Sequence, residues 1–203
     1  WDFGAGLHQL TYSFHVTAGT DASWTTDLTN NLKLALSAWS SIINVQFAEV
    51  AAGGSFTTTT ADLAMVLDSN VPPGEIAVTY FPDTSQPVWN SGYTRANYPH
   101  PEGDIFFGST LADFAYLAPG QVGFWVLLHE IGHALGLKHP FDDGGAGRPD
   151  FASLGISALD AGFQTVMSYQ VPYAADPLKA CLLDQAYQAT PMLLDILAAQ
   201  QLY

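Results

Sequence analysis

Cysteine and positive charge are both scarce in this chain, and each shortage excludes something. Cys181 is the single cysteine among 203 residues, so no intramolecular disulfide can staple the fold. Nothing places Cys181 beside a base, so it is read as a small apolar residue rather than a nucleophile. Lysine and arginine number 5 against 19 acidic residues, a formal charge of −14. A surface for phosphate needs clustered cations, so nucleic acid is excluded as the main partner. No apolar run reaches membrane-spanning length, and no basic segment is followed by a signal-type apolar one. A start at Trp1 rather than Met is expected of a processed product or a cut chain. Internal repeats and low-complexity linkers are lacking as well. With 48% hydrophobic residues, residues 1–203 are expected to build one domain around its own core.

Histidine is sparse but concentrated. The stretch His129-Glu130-Ile-Gly-His133-Ala-Leu-Gly136-Leu-Lys-His139-Pro140 puts three imidazoles and a carboxylate within eleven residues. On a helix, His129 and His133 at i and i+4 share one face and can share one tetrahedral metal. Glu130 lies about 100° round from His129, where it flanks the open position of that metal without ligating it. A straight helix would carry His139 about 9 Å along the axis from His133, so the chain has to turn. Gly136 can take positive φ at a helix end, and Pro140 stops the helix from resuming. The pattern fits three histidine ligands with a fourth position left for water, which by itself supports metal-assisted hydrolysis.

Periodicity supplies a coarse architecture. Leu10–Val16, Asn44–Val50 and Gly103–Phe107 read as strands, and Asp62–Leu67 as a more buried one. Ile76–Phe81, bounded by prolines, reads as a short edge strand. Asp27–Ile43 carries an amphipathic helical pattern, and Val122–Leu128 leads apolar into the histidine helix. Thr190 as N-cap and Pro191 as first helical residue are expected to open a last helix running to Leu202. Gly53–Thr60 reads as a loop whose threonines could extend a strand, and Asp142–Gly147 as irregular. Tyr93, Tyr98 and Tyr173 are candidates for lining a cleft. His8, His15 and His100 fall outside ligand spacing and are assigned surface or hydrogen-bonding roles. Asp195 is expected to complement the dipole of the last helix, with a contact to the turn at Met167 as the alternative. Asp142, Asp143 and Asp150 could hold calcium with loop carbonyls, but a solvated loop is the preferred reading, and no specific calcium motif is found.

The histidine stretch, followed by Thr165-Val-Met167-Ser-Tyr169, resembles the metzincin clan of zinc endopeptidases, whose extended motif is followed by a Met-containing turn. Pro140 after the third histidine and a tyrosine two residues beyond the methionine are similar to the serralysin branch. Astacins typically have Glu after that histidine, adamalysins Asp, and matrixins lack the tyrosine. Leu10–Phe14, the helix carrying Trp39 into Val45–Phe47, Gly103–Phe106 and Pro191–Tyr203 also resemble serralysin catalytic-domain segments. The resemblance implies an α+β, two-lobed catalytic domain with its upper lobe at about 1–136 and its lower lobe at about 137–203. It implies a twisted, mostly parallel five-stranded sheet with an antiparallel edge strand, an active-site helix, a Met-turn and a C-terminal helix.

By the same resemblance, His129, His133 and His139 are expected to ligate Zn2+, with Glu130 as general base and then acid. Met167 would form the floor of the metal site. Tyr169 would serve as an additional zinc ligand at rest and as a hydrogen-bond donor to the tetrahedral intermediate. Polypeptide substrates are expected to lie extended along Ile76, Ala77, Val78, Thr79 and Tyr80, with fairly broad specificity. A proteinaceous inhibitor is a further expected partner, the chain is expected to be a monomer, and the setting is extracellular. The glycine-rich Gly-Gly-x-Gly-x-Asp repeats that usually follow in serralysins do not occur in these residues, which confines the resemblance to the catalytic domain. Phe141–Gln164 departs from the usual family text, leaving substrate preference open. Two alternatives share the zinc chemistry: a silent metzincin-fold module that binds zinc or protein, and a zinc hydrolase acting on a non-peptide bond.

Overall fold

Alternating apolar and polar residues build strands with one face for a core, and an unbroken apolar run needs both faces covered. Both kinds occur in the structure, a computed structural model that describes residues 1, 6–72, 74–85, 87–88, 92–112, 116–143, 147–170 and 187–203. β1 (His8–Val16) and β2 (Val45–Glu49) alternate, whereas β3 (Leu63–Asp68) is buried along its whole length. β4 (Ala77–Thr79) and β5 (Ile105–Gly108) complete a five-stranded sheet in the order β2-β1-β3-β5-β4. β1 runs parallel to β2 and β3, and β3 runs parallel to β5. β4 alone is antiparallel, pairing Val78 with Phe106 at the sheet edge. This is the α+β sheet expected from the sequence.

The period of two sorts side chains into two cores. Leu63, Met65, Leu67, Ile105 and Phe107 point to the face covered by helices α1 (Thr26–Ser40) and α3 (Val122–Ala134). Ala64, Val66 and Phe106 point to the opposite face, where Phe56, Tyr80 and Tyr98 pack as an aromatic cluster. Tyr98 is therefore a core residue and not part of a cleft, because its hydroxyl is committed to the buried Asp104 carboxylate. Thr25 caps α1, its hydroxyl accepting from the Leu28 N–H at 3.1 Å. Fully buried Trp39 on α1 donates its indole N–H to the Leu128 carbonyl at 3.1 Å, locking α1 against α3.

Element ends differ from the sequence expectations for local reasons. β4 is only three residues long, although Ile76 and Tyr80 on either side still pair through their backbones with Gly108, Asp104 and Gly103. The threonine run closes a short 3-10 turn, Phe56–Thr58, rather than extending a strand. A four-residue helix, α2 (Ser109–Ala112), follows β5 directly. The last helix, α4 (Leu193–Leu202), starts two residues later than Pro191, with Met192 and not Thr190 at the N-cap. The reason is Asp195, whose Oδ2 accepts the Met192 N–H at 2.7 Å and so satisfies that helix end. Cys181 and Tyr173 lie outside the described residues, as do Pro73 and part of the irregular loop, residues 144–146.

Candidate active site

Helix α3 carries His129, Glu130 and His133, all buried. It ends in a reversal of the Schellman type: Gly136 takes φ +95°, its N–H reaches the His133 carbonyl at 2.8 Å, and the Leu137 N–H reaches the Gly132 carbonyl at 2.9 Å. That turn sends the chain back so that His139 faces the two helical histidines. It also delivers the Leu137 carbonyl to His133 Nδ1 at 2.7 Å. Side chains from both ends of the chain tie down the helix end, Trp1 Nε1 donating to the Ala134 carbonyl at 3.0 Å and the Tyr203 hydroxyl to the Leu135 carbonyl at 2.7 Å.

The imidazoles converge through one kind of atom. His139 Nε2 lies 3.1 Å from both His129 Nε2 and His133 Nε2. The opposite nitrogens settle the tautomers. His129 Nδ1 is 2.8 Å from the Val166 carbonyl, and His133 Nδ1 meets the Leu137 carbonyl; a carbonyl only accepts, so each Nδ1 carries the proton. His139 Nδ1 lies 2.7 Å from the Asp142 carboxylate, which likewise accepts. Three Nε2 lone pairs thus point at one another with no proton between them, an arrangement that repels unless a cation sits among them. Burial also disfavours protonation, holding His129 down at about 4 and His133 well below the usual imidazole range. A tetrahedral ion about 2.05 Å from each nitrogen sets them about 3.3 Å apart, close to the observed separation. Neutral imidazole donors at this spacing fit zinc, and these are the described residues whose ligand atoms cluster for a metal, all within 4.8 Å of one another.

Glu130 stands beside this cluster. Its Oε2 accepts a hydrogen bond from the Thr79 hydroxyl on β4 at 2.6 Å. Burial pushes its carboxyl up to about 7; the Thr79 bond opposes the rise and the charge of Glu75 adds to it. The Tyr169 ring lies against the metal-facing histidines, 5.5 Å from the His129 ring and 4.8 Å from that of His139. Burial, then the charges of Glu130, Glu75 and Asp142, hold its phenol at about 12, so it keeps its proton at neutral pH. Phe141 stacks on the outer face of His139 at 4.8 Å and shields it from water.

Met167 lies beneath the helix. A Cβ on Gly132 would come within 2.7 Å of the Met167 sulfur and 3.2 Å of the Trp39 ring, so only a glycine lets the Met-turn approach between His129 and His133. The turn is held from below by Asp195. Its Oδ1 accepts from the Thr165 hydroxyl at 2.5 Å, and its Oδ2 accepts from the Val166 N–H at 2.8 Å. Asp195, almost fully buried, serves the start of α4, as preferred from sequence, and also makes the contact with the Met-turn that was the alternative. Val166, held in this way, offers the carbonyl that orients both His129 and the Trp125 indole, the latter at 2.9 Å.

Two hollows flank the site. One of about 760 Å3 lies behind the third histidine, between Phe81, His139, Phe151, Met167 and α4. A second, about 210 Å3, opens beside Glu130 and Tyr169 and is walled by Glu75, Ile76, Ala77, Trp125 and Val126. Ile76, Val78 and Tyr80 turn their backbones toward β5, which leaves those of Ala77 and Thr79 on the open edge facing the cleft. The Tyr80 side chain points away into the aromatic core.

The structure thus brings together His129, Glu130, His133, His139, Met167 and Tyr169, with Ala77 and Thr79 beside them. Asp142, read from sequence as part of an acidic loop, belongs to the site through His139, while Asp150 caps Ser153 at 2.7 Å away from it. Gly132 and Trp125 escaped the sequence reading, and Thr79, expected there only as part of the substrate strand, was not foreseen as the partner of Glu130. Gly132 alone had a visible signal, a glycine inside a helical pattern without a turn to explain it.

Comparison with known proteins agrees with this geometry. Residues 5–146 match the peptidase M10 family described as Matrixin. Serralysin of Proteus mirabilis is 32% identical over 180 residues, spanning 83% of this chain and 32% of that protein. Serralysin C of Dickeya chrysanthemi is 31% identical over 172 residues, spanning 84% of this chain and 32% of that protein. Metallopeptidase AprA of Pseudomonas marginalis is 28% identical over 211 residues, spanning 98% of this chain and 41% of that protein. The chain covers about a third to two-fifths of the length of these curated relatives. The family match ends before Met167 and Tyr169, and similarity to serralysins extends beyond it. The chain belongs to the matrixin family, as a serralysin-like metzincin domain.

Proposed function

We propose that this chain is the catalytic domain of a zinc-dependent endopeptidase. The observation that carries the reading is the convergence of three Nε2 lone pairs beside a buried carboxylate at the open edge of a sheet. His129, His133 and His139 would hold the zinc, which when bound would supply a Lewis acid for the scissile carbonyl and for the attacking water. Glu130 takes a proton from the attacking water and passes it to the leaving nitrogen. Its environment suits both duties: burial makes the protonated form accessible, and the Thr79 hydroxyl fixes Oε2 so that Oε1 is left to face the cleft. Tyr169 keeps its phenolic proton and donates it as a hydrogen bond to the oxyanion that develops on the carbonyl. At rest the same phenol is proposed as an additional zinc ligand.

An extended polypeptide adds to β4 as an antiparallel strand, pairing with the backbones of Ala77 and Thr79. Main-chain pairing reads few side chains, so specificity is fairly broad. The division into an upper lobe at about 1–136 and a lower lobe at about 137–203, with the cleft between them, belongs to the same proposal. Extracellular placement belongs to the same proposal and rests on the resemblance to serralysins. No helix among the described residues is long and apolar enough to cross a membrane.

The test is a digest of casein and of a peptide library by zinc-loaded protein, beside Glu130→Ala. Cleavage by the wild type should fall by about 10^2 to 10^4 in the variant, the usual worth of a positioned acid–base group. Equal cleavage by both would refute the assignment. Absence of cleavage by a folded, zinc-replete wild type would favour a zinc-binding module without turnover.

A further inference from the structure

The hollow beside Glu130 has a chemistry of its own, and the inference drawn from it rests on the peptidase reading above. Antiparallel pairing with β4 fixes the direction of the substrate. Residues before the scissile bond lie along Thr79 and beyond, and residues after it lie along Gly74–Ala77. The hollow of about 210 Å3 borders Gly74, Glu75, Ile76 and Ala77, so it receives the side chain that follows the scissile bond.

Its walls fall into two zones. Trp125 and Val126 from α3, with Ile76 and Ala77 from the edge strand, make an apolar slot. The Trp125 ring is held in one orientation by its N–H bond to Val166 and by packing against the His129 and Tyr187 rings at 5.4 and 5.6 Å. At the mouth stands Glu75, exposed, its backbone fixed by a turn in which its N–H reaches the Pro72 carbonyl at 3.0 Å. Its carboxylate forms no ion pair among the described residues. Among the described residues, neither lysine nor arginine lines the hollow. The four described basic side chains are Lys33 and Lys138, engaged with Glu49 and with loop carbonyls, Arg95 on Glu102, and Arg148 in the larger hollow behind His139.

The geometry points to a pocket for a long cationic side chain, arginine or lysine, immediately after the scissile bond. The aliphatic stem lies along the Trp125 ring and Val126, and the charged head turns back to Glu75 at the rim. Arginine is favoured over lysine because its planar head also stacks on an indole face. An acidic side chain at the same position meets Glu75 and is rejected.

Quenched fluorescent peptides that differ only at the residue after the scissile bond test this, with arginine, its uncharged isostere citrulline, leucine and glutamate compared. At low salt, arginine should exceed citrulline in kcat/KM by about 3-fold to 5-fold, the worth of one half-exposed ion pair. The ratio should shrink in 0.5 M salt, as expected at a Debye length of roughly 4 Å. It should fall to about 1 in Glu75→Gln and invert in favour of glutamate in Glu75→Lys. The same peptides, labelled and titrated onto zinc-loaded Glu130→Ala protein, give the Kd ratio without turnover. An arginine-to-citrulline ratio of 1 in both readouts, or a preference that survives Glu75→Gln, overturns the pocket. A Glu75-dependent binding preference in a protein that cleaves nothing upholds the pocket and removes the peptidase reading instead.

Discussion

Gly132 poses a contest between two effects of opposite sign. In an ordinary helix interior, Gly→Ala stabilises by about 1 kcal/mol, because alanine loses less backbone entropy and shields the helix backbone. At Gly132 the new Cβ would stand 2.7 Å from the Met167 sulfur, closer than packed atoms tolerate, and 3.2 Å from Trp39 Cζ2, a tight contact. Trp39 is fully buried and cannot retreat, and Met167, also buried, can give way only by repacking toward the hollow behind His139. Forcing an extra methyl into such a core costs about 1–3 kcal/mol, which exceeds the helix gain. Gly132→Ala is therefore expected to destabilise the protein by a net amount of roughly 1 kcal/mol. Urea unfolding of zinc-free wild type and variant, compared at constant m, measures it. The control is the same substitution in a Met167→Ala background. With the sulfur gone, the helix term should dominate and Gly132→Ala should stabilise, giving a coupling of about 1–3 kcal/mol between the positions. A wild-type background stabilised by about 1 kcal/mol would refute the close approach. A functional consequence follows too, since shifting the Met-turn moves the Val166 carbonyl that orients His129, and zinc affinity should drop alongside stability.

Further predictions concern single contacts. Asp142→Ala removes the acceptor that fixes His139 Nδ1, so zinc affinity measured by chelator competition should fall by about 10-fold to 100-fold; an unchanged affinity would show the contact to be incidental. Tyr169→Phe keeps the ring packing but deletes the donor, so kcat should drop by about 10^2 with KM little altered, and an unchanged kcat would remove Tyr169 from the mechanism. Asp104 tests linkage far from the metal. Burial lifts its carboxyl well above the usual range, against the bonds from Tyr98 and Ala64 that favour the ionised form. The unfolded chain then ionises first as pH rises, so this carboxyl's contribution to stability is intact below about pH 3.9 and is lost progressively as pH climbs toward the folded value. Asp104→Asn cannot lose that proton and should gain on wild type as urea midpoints are followed from pH 4 to 7; parallel curves would contradict the assignment.

What could be read from the residues divides along a physical line. The metal ligands are close in sequence, and helix geometry converts their spacing into a shared face, so His129, His133, the turn at Gly136 and the return of His139 follow from local rules alone. Strand positions follow from local periodicity in the same way, and α3 announces itself by its apolar approach. Asp142, only three residues beyond His139, was misread because a charged residue in a glycine-rich loop looks the same whether its carboxylate faces water or an imidazole. Asp195 and Thr79 pose the harder case. Asp195 binds a turn some thirty positions away, Thr79 binds a carboxylate some fifty away, and their own neighbours in sequence carry no mark of either partner. The start of α4 shows how such a distant bond rewrites a local rule. Proline at the first helical position and threonine before it are sound preferences worth about 1 kcal/mol. Asp195, already drawn inward by Thr165 and Val166, has an oxygen in reach of the Met192 N–H, and the helix begins where that buried bond can be made. A weak local preference yields because leaving a buried carboxylate short of partners costs more than moving a cap by two residues.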